Sequence, residues 1–281
     1  MHRAQYFFTG EGEHCTGLEK IIKFGNVYQT SITQTTNSLF GDLTMPEIST
    51  PKIAGCEPWT LTELLDHEKE VTGMFMSGHP LDHFSFEIKH YNITTLAEYN
   101  EVKEAVHLLP NPGKSFRIAG LVVDAQHRVT KTGKQFGSFT LEDYSGKSEF
   151  ILWSEEYVKF LNYLEKGKNL FLCGYFRQRY NKAEYEFKVE KITLLETIKP
   201  HLTKQLILDV EARYLKENQI TFIEENVKKF PGRSTLKFNV TDSRHQLKVS
   251  MYTMENGFIM NDEMASFLNN NPEMEVQIIT A

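Results

Sequence analysis

The spacing of apolar residues changes period along the chain, and each change marks an expected boundary. Over residues 14 to 24, Leu18, Ile21, Ile22 and Phe24 recur near helical spacing, and Gly25 is expected to end that helix. From Thr30 to Pro58 the chain is rich in Ser, Thr, Asn, Gly and Pro with no sustained period, which predicts a mobile linker. Leu39 and Phe40 stand side by side inside it, which a purely solvating tether does not need. Periodicity resumes at Thr60, where Glu63 completes a reciprocal helix-start pairing. Leu61, Leu64, Leu65, Val71 and Phe75 supply the apolar stripe of that helix, and Gly78 with Pro80 is expected to end it. A second helical stretch from Thr94 to His107 runs into Pro110-Asn111-Pro112-Gly113, a strong breaker.

Beyond that breaker the period shortens to two. Phe116 to Ala125, Phe136 to Glu142, Lys147 to Trp153, Asn169 to Phe176 and Glu184 to Thr193 read as strands, and Glu155 to Leu164 reads as a helix between the third and fourth. Five strands with a helix in that place follow the order of an OB-fold barrel. Residues 200 to 281 read as a small α/β unit: a strand at Gln205–Val210, a helix near Thr221–Phe230, a hairpin from Thr235–Val240 and Gln246–Tyr252, a helix at Asp262–Leu268 and a strand at Glu275–Ile279. The predicted fold class is multidomain α+β, with a helical and linker segment (1–60), a helical connector (61–112), a central five-stranded OB-fold β-barrel (113–197) and a small C-terminal α/β domain (198–281).

Composition is that of an ordinary globular chain, and no apolar run approaches the ~18 residues that cross a bilayer. The first residues lack a secretory pattern, and the three cysteines (Cys15, Cys56, Cys173) are widely spaced, so a cytoplasmic chain with reduced thiols and neither zinc site nor disulfide framework is expected. The net charge of −6 argues against nucleic acid as a partner until its distribution is read. Residues 113 to 195 hold fourteen Lys/Arg against ten Asp/Glu, so a basic module sits in an otherwise acidic chain. The sequence has no Asp-x-Asp, HExxH, GxxxxGK[ST] or GxSxG, and therefore no self-contained catalytic motif.

An OB-fold holds an unpaired strand with cations for phosphates and aromatic faces for bases, along strands two and three and the loops joining strands one to two and four to five. Arg128, Lys131 and Lys134 fall in the first loop with Phe136 at its exit, and Arg177, Arg179, Tyr180 and Lys182 fall in the last; Lys147 opens strand three. Alternation puts Phe136 and Phe139 on opposite faces, so Phe136 is free to stack when Phe139 is core. The plainer reading has these aromatics packing and the lysines forming a solvated face. In the linker, Leu39 and Phe40 suit a pocket on another protein, although burying both yields only about 3 to 6 kcal/mol, below the ~8.2 kcal/mol of a micromolar complex. The alternative is that the pair tucks back onto its own domain. His79, in Ser77-Gly78-His79-Pro80, reads as a packing residue rather than a catalytic one.

The run from Glu68 to Leu81 (Glu-Lys-Glu-Val-Thr-Gly-Met-Phe-Met-Ser-Gly-His-Pro-Leu) resembles the segment before the OB-fold in bacterial DNA polymerase III alpha subunits. Ala119-Gly120-Leu121-Val122, Thr130-Lys131-Thr132-Gly133, Thr140-Leu141-Glu142-Asp143 and Ser145-Gly146 resemble their OB stretch, and His2-Arg3-Ala4 resembles the end of their fingers region. The resemblance implies that Thr36-Asn37-Ser38-Leu39-Phe40 is a motif binding the sliding clamp. Thr36 stands where that motif has Gln, with Gln34 two residues earlier. It also implies that the OB-fold contacts single-stranded template and that residues 200 to 281 dock the tau subunit of the clamp loader. The parent would be a DNA-directed DNA polymerase, a nucleotidyltransferase using Mg2+, whose catalytic carboxylates, PHP domain and fingers are expected outside this stretch; Met1 is then expected to open a piece of a longer protein or a split chain. A free-standing OB-fold single-strand-binding protein is the alternative, and an anticodon-binding OB domain of a synthetase ranks last because no ATP-binding motif accompanies it.

Overall fold

The computed structural model describes residues 1–36, 49–73, 75–108, 113–179, 184–253 and 257–280. The chain forms two compact units, residues 1–79 and 80–281. In the first, α1 (Arg3–Phe7) precedes α2 (Gly17–Thr36) and α3 (Leu61–Thr72). The expected stop at Gly25 does not occur: α2 runs through it and covers the first part of the predicted linker. Its polar second half supports itself locally, since the Thr30 and Thr33 hydroxyls donate to the carbonyls of Asn26 and Gln29, one turn back. The Thr60–Glu63 pairing caps α3 as expected, but the helix ends at Gly73 in the left-handed region (φ 80°), not at Gly78. Val71, assigned to the apolar stripe, is 84% exposed, while Leu65 is buried.

The second unit opens with α4 (Ser85–His90) and α5 (Leu96–Glu104), the latter capped by Thr95 and Glu98. The barrel follows: β1 (Ser115–Val129), β2 (Gln135–Glu142), β3 (Lys147–Trp153), α6 (Ser154–Phe160), β4 (Asn169–Gln178) and β5 (Tyr185–Leu194). Every pair is antiparallel in the order β3-β2-β1-β4-β5, the five-stranded OB arrangement with β3 and β5 at the two edges. Ile118, Val122, Phe139, Leu141, Phe150, Leu152, Leu170 and Leu172 point inward and share one core with Leu96 and Tyr99 of α5. Helix α5 is thus built into the barrel, its first free amides donating to Asp143 (Leu96 N–H, 2.7 Å) and Ser145 (Ala97 N–H, 2.9 Å) of the β2–β3 turn. At the other side, Gly137 allows α6 to approach: a Cβ there would meet Leu164 and Tyr157 side-chain atoms at 2.8 Å.

A short helix, α7 (Ile198–Leu202), leads to a β-α-β-β-α-β domain of β6 (Thr203–Glu211), α8 (Glu217–Lys229), β8 (Thr235–Asp242), β9 (Leu247–Tyr252), α9 (Asp262–Asn269) and β11 (Met274–Thr280). A two-residue pairing of β7 (Pro231–Gly232) with β10 (Gly257–Phe258) staples the loops. The main sheet has the order β11-β6-β8-β9, with β6 and β8 parallel and the other pairs antiparallel. This domain and the barrel share a second core: Ala119 and Phe171 on the outside of β1 and β4 join Leu81, Phe86, Tyr91, Leu195, Ile198 and the sheet residues Leu206 and Leu208. Polar ties reinforce it. Arg117 of β1 donates to the Thr280 hydroxyl at 2.6 Å, and the hydroxyls of Tyr91 and Thr203 lie 2.6 Å apart. Lys199 of α7 pairs with buried Glu87 of α4 and, at 2.9 Å, with Asp262 of α9.

Candidate nucleic-acid interface

The outward face of the barrel divides in two. The Ala119 and Phe171 side lies under the C-terminal domain, so the open side is β2, β3 and the far half of β1. Register fixes what stands there. Glu142 faces Lys147 across the turn, and counting back along both strands sets Ser138 opposite Ile151 and Phe136 opposite Trp153. The Phe136 and Trp153 rings stack with centroids 4.9 Å apart and planes at 20°. Trp153 is 43% exposed and Ile151 41%, large apolar surfaces left to solvent on a strand whose alternate residues are core. Arg128 lies opposite Phe136 on β1 and is held by the Gln126 side chain. Phe139 is core (1% exposed), as the alternation requires.

The sequence placed Arg128 in the first loop; it sits on β1, which runs on past Ala125 to Val129. Lys131 and Lys134 are in the turn from Thr130 to Lys134, closed by Thr130 N–H to the Lys134 carbonyl (2.8 Å) with Gly133 at φ 79°. Both are exposed, and neither makes an ion pair among the described residues. Arg177 is on β4 rather than in the last loop, and with Arg179 it grips Glu186 of β5 at 2.7 and 2.9 Å. The Arg177 guanidinium, then that of Arg179, holds the Glu186 carboxyl below its ordinary range, so their charge is largely spent within the fold. Lys147 is paired with Glu142 at 3.6 Å, and six residues of strand separate it from Trp153, roughly 20 Å. Tyr180 and Lys182 lie outside the described residues.

The structure therefore brings together Phe136, Arg128, Lys131 and Lys134, adds Trp153, and leaves Lys147, Arg177 and Arg179 engaged elsewhere. Trp153 escaped the sequence reading although its signal was present, since a four-residue turn between β2 and β3 already pairs it with Phe136. Of the proposed clamp motif, the backbone of Gln34 and Thr36 ends α2, a helix where an extended peptide was expected, and Asn37, Ser38, Leu39 and Phe40 lie outside the described residues. Among the described residues no group of three or more His, Cys, Asp and Glu is placed to hold a metal ion. No helix among them is long and apolar enough to cross a membrane.

Residues 206–279 match a family model described as the C-terminal domain of the DNA polymerase III alpha subunit, and residues 116–195 match one described as an OB-fold nucleic acid binding domain. The DNA polymerase III subunit alpha of Escherichia coli O157:H7 is 34% identical over 130 residues, 46% of this chain and 10% of that protein. That of Pasteurella multocida is 26% identical over 213 residues, 75% of this chain and 17% of that protein, so the chain spans less than a fifth of either relative. Among solved structures, the second OB-fold domain of replication protein A from Methanococcus maripaludis is 28% identical and covers 31% of this chain and 88% of its own, with a TM-score of 0.22. A barrel of OB order is thus followed directly by the C-terminal domain described for the DNA polymerase III alpha subunit, and over 46–84% of its length the chain is similar to DNA polymerase III alpha subunits.

Proposed function

We propose that this chain is a binding portion of a replicative polymerase alpha subunit, with single-stranded template DNA held on the open β2–β3 face of the barrel. The observation that carries the reading is the Phe136–Trp153 stack, half-buried at Phe136 and exposed at Trp153, flanked by Arg128 and by Lys131 and Lys134, which make no ion pair among the described residues. Each base stacked on such a ring gains about 1 to 3 kcal/mol without regard to sequence, and the cations meet phosphates. Binding of this kind is weak, tolerant and sensitive to salt. Nucleotidyl transfer is assigned to parts of the alpha subunit outside this stretch.

The same reading gives residues 34 to 40 (Gln34, Thr36, Asn37, Ser38, Leu39, Phe40) the sliding clamp as partner, and gives residues 198–281 the tau subunit. The C-terminal domain has a surface suited to a partner: β9 is an open edge with Leu247, Val249 and Met251 exposed, beside an apolar groove of about 370 Å³ between α8 and β8. Fluorescence anisotropy with oligo-dT tests the first part, and absence of binding at low salt overturns it. Titration of the chain against its clamp tests the second: Leu39→Ala with Phe40→Ala should abolish that binding, whereas a free-standing single-strand-binding protein would show no clamp binding to lose.

A further inference from the structure

The barrel is open on one seam. Strands β3 and β5 are its edges, with no strand pairing between them, and a cleft of about 540 Å³ lies along the gap. Its floor is aromatic: Phe150 of β3, Phe176 of β4 and Phe187 of β5 surround Tyr99, with centroids 5.2, 5.6 and 5.1 Å from its ring. Tyr99 comes from α5, outside the five strands. It is 1% exposed, lines the cleft, and its hydroxyl makes no hydrogen bond among the described residues. The hydroxyl keeps a little accessible surface, so it meets solvent at the cleft, where a ligand atom could take that solvent's place. Burial alone pushes its pKa upward, so it stays protonated and can donate as well as accept.

The second observation is continuity. Trp153 stacks on Phe136 across the open face and also lines this cleft, so a strand whose bases stack on that pair has its next base at the cleft mouth. Above the aromatic floor its walls carry Lys103, Arg177, Arg179 and Lys188 against Glu149, Glu155, Glu156 and Glu186, and its volume falls in the range of small-ligand sites. Resting on the single-strand reading above, we infer that the β3–β5 seam receives one nucleobase of the bound strand, lodged beyond Trp153 with the Tyr99 hydroxyl as its hydrogen-bond partner. Unstacking a base that is already unpaired costs little, so such a pocket favours single over double strands.

The test uses the full chain and an oligonucleotide of about eight nucleotides, within the span of one OB-fold. In it, 2-aminopurine is moved through successive positions. One position whose emission departs from its neighbours is expected, and a uniform response along the strand overturns the pocket with no variant needed. Tyr99→Phe removes one oxygen from an apolar setting and should weaken binding about three- to tenfold, the value of a typical hydrogen bond. The loss should vanish when that position is abasic, and an unchanged melting transition checks the fold. Full affinity in Y99F, or an equal loss on the abasic strand, contradicts the inference. If Y99F is unaffected while Phe136→Ala with Trp153→Ala weakens binding, the pocket fails and the open-face reading stands; if the parent chain binds no oligonucleotide, that reading fails first.

Discussion

The two outward faces of the barrel belong to neighbouring strands of one sheet and meet different fates. On β1 and β4, Ala119 and Phe171 are sealed against the C-terminal domain, and the polar groups there are spent on ties such as Arg117 to Thr280. On β2 and β3, Ile151 and Trp153 remain in solvent, with Phe136 half-buried against Trp153, beside cations that make no ion pair among the described residues. A folded chain leaves large rings exposed at a cost in hydrophobic free energy, so an aromatic pair left partly in solvent beside such cations marks a binding surface more clearly than an overall basic balance does. The paired arginines show why a charge count alone misleads: Arg177 and Arg179 are already engaged within the fold by Glu186, and Arg179 also by Glu184 at 3.7 Å.

The sharpest break between the faces comes from Glu87→Ala, which takes away the buried partner of Lys199 and leaves it the exposed Asp262. Removing one partner of a buried pair costs about 3 to 5 kcal/mol, visible as a lower midpoint in denaturant, while DNA affinity per folded molecule should not change. Phe136→Ala with Trp153→Ala should do the reverse: melting unchanged, and oligo-dT affinity lower by about 1 to 3 kcal/mol for each base that loses its platform. Converting Arg128, Lys131 and Lys134 to Gln should lower affinity and reduce the slope of log K against log salt by about 2, since each phosphate contact on single strands contributes about 0.7. The smallest effect is a gain. Glu186→Gln frees Arg177 and Arg179 and should tighten binding severalfold with a steeper salt slope.

Acid should act in the same direction as that last substitution. The Glu186 carboxyl is held below its usual 4.5, so its contribution to stability is complete above that value and fades as pH falls through the depressed one. Over that window the two arginines lose their partner and the face becomes more positive. In E186Q the low-pH tightening seen by anisotropy should disappear.

Most of the barrel was legible in the sequence because alternation, the Asp143-Tyr144-Ser145-Gly146 turn and the Gly133 turn agree with one another. The Thr60 cap was legible for the same local reason. What escaped depends on more than one segment or on local bonds that composition hides. Helix α2 runs on through a Ser/Thr-rich stretch whose Thr30 and Thr33 hydroxyls are satisfied by its own carbonyls, an outcome that composition does not reveal. The pairing of Arg177 and Arg179 with Glu186 follows from the β4–β5 register, and the sealing of β1 and β4 from a domain that begins only after β5. Tyr99 read as a helix residue of a connector, and only packing brings it into the barrel seam.

The division into a sealed and an open face is tested most directly by ultraviolet crosslinking of oligo-dT to the chain, followed by mapping of the modified peptides. Crosslinks are expected in the peptides that contain Phe136 and Trp153. Crosslinks confined to the C-terminal domain, with none on β2 or β3, would contradict the account.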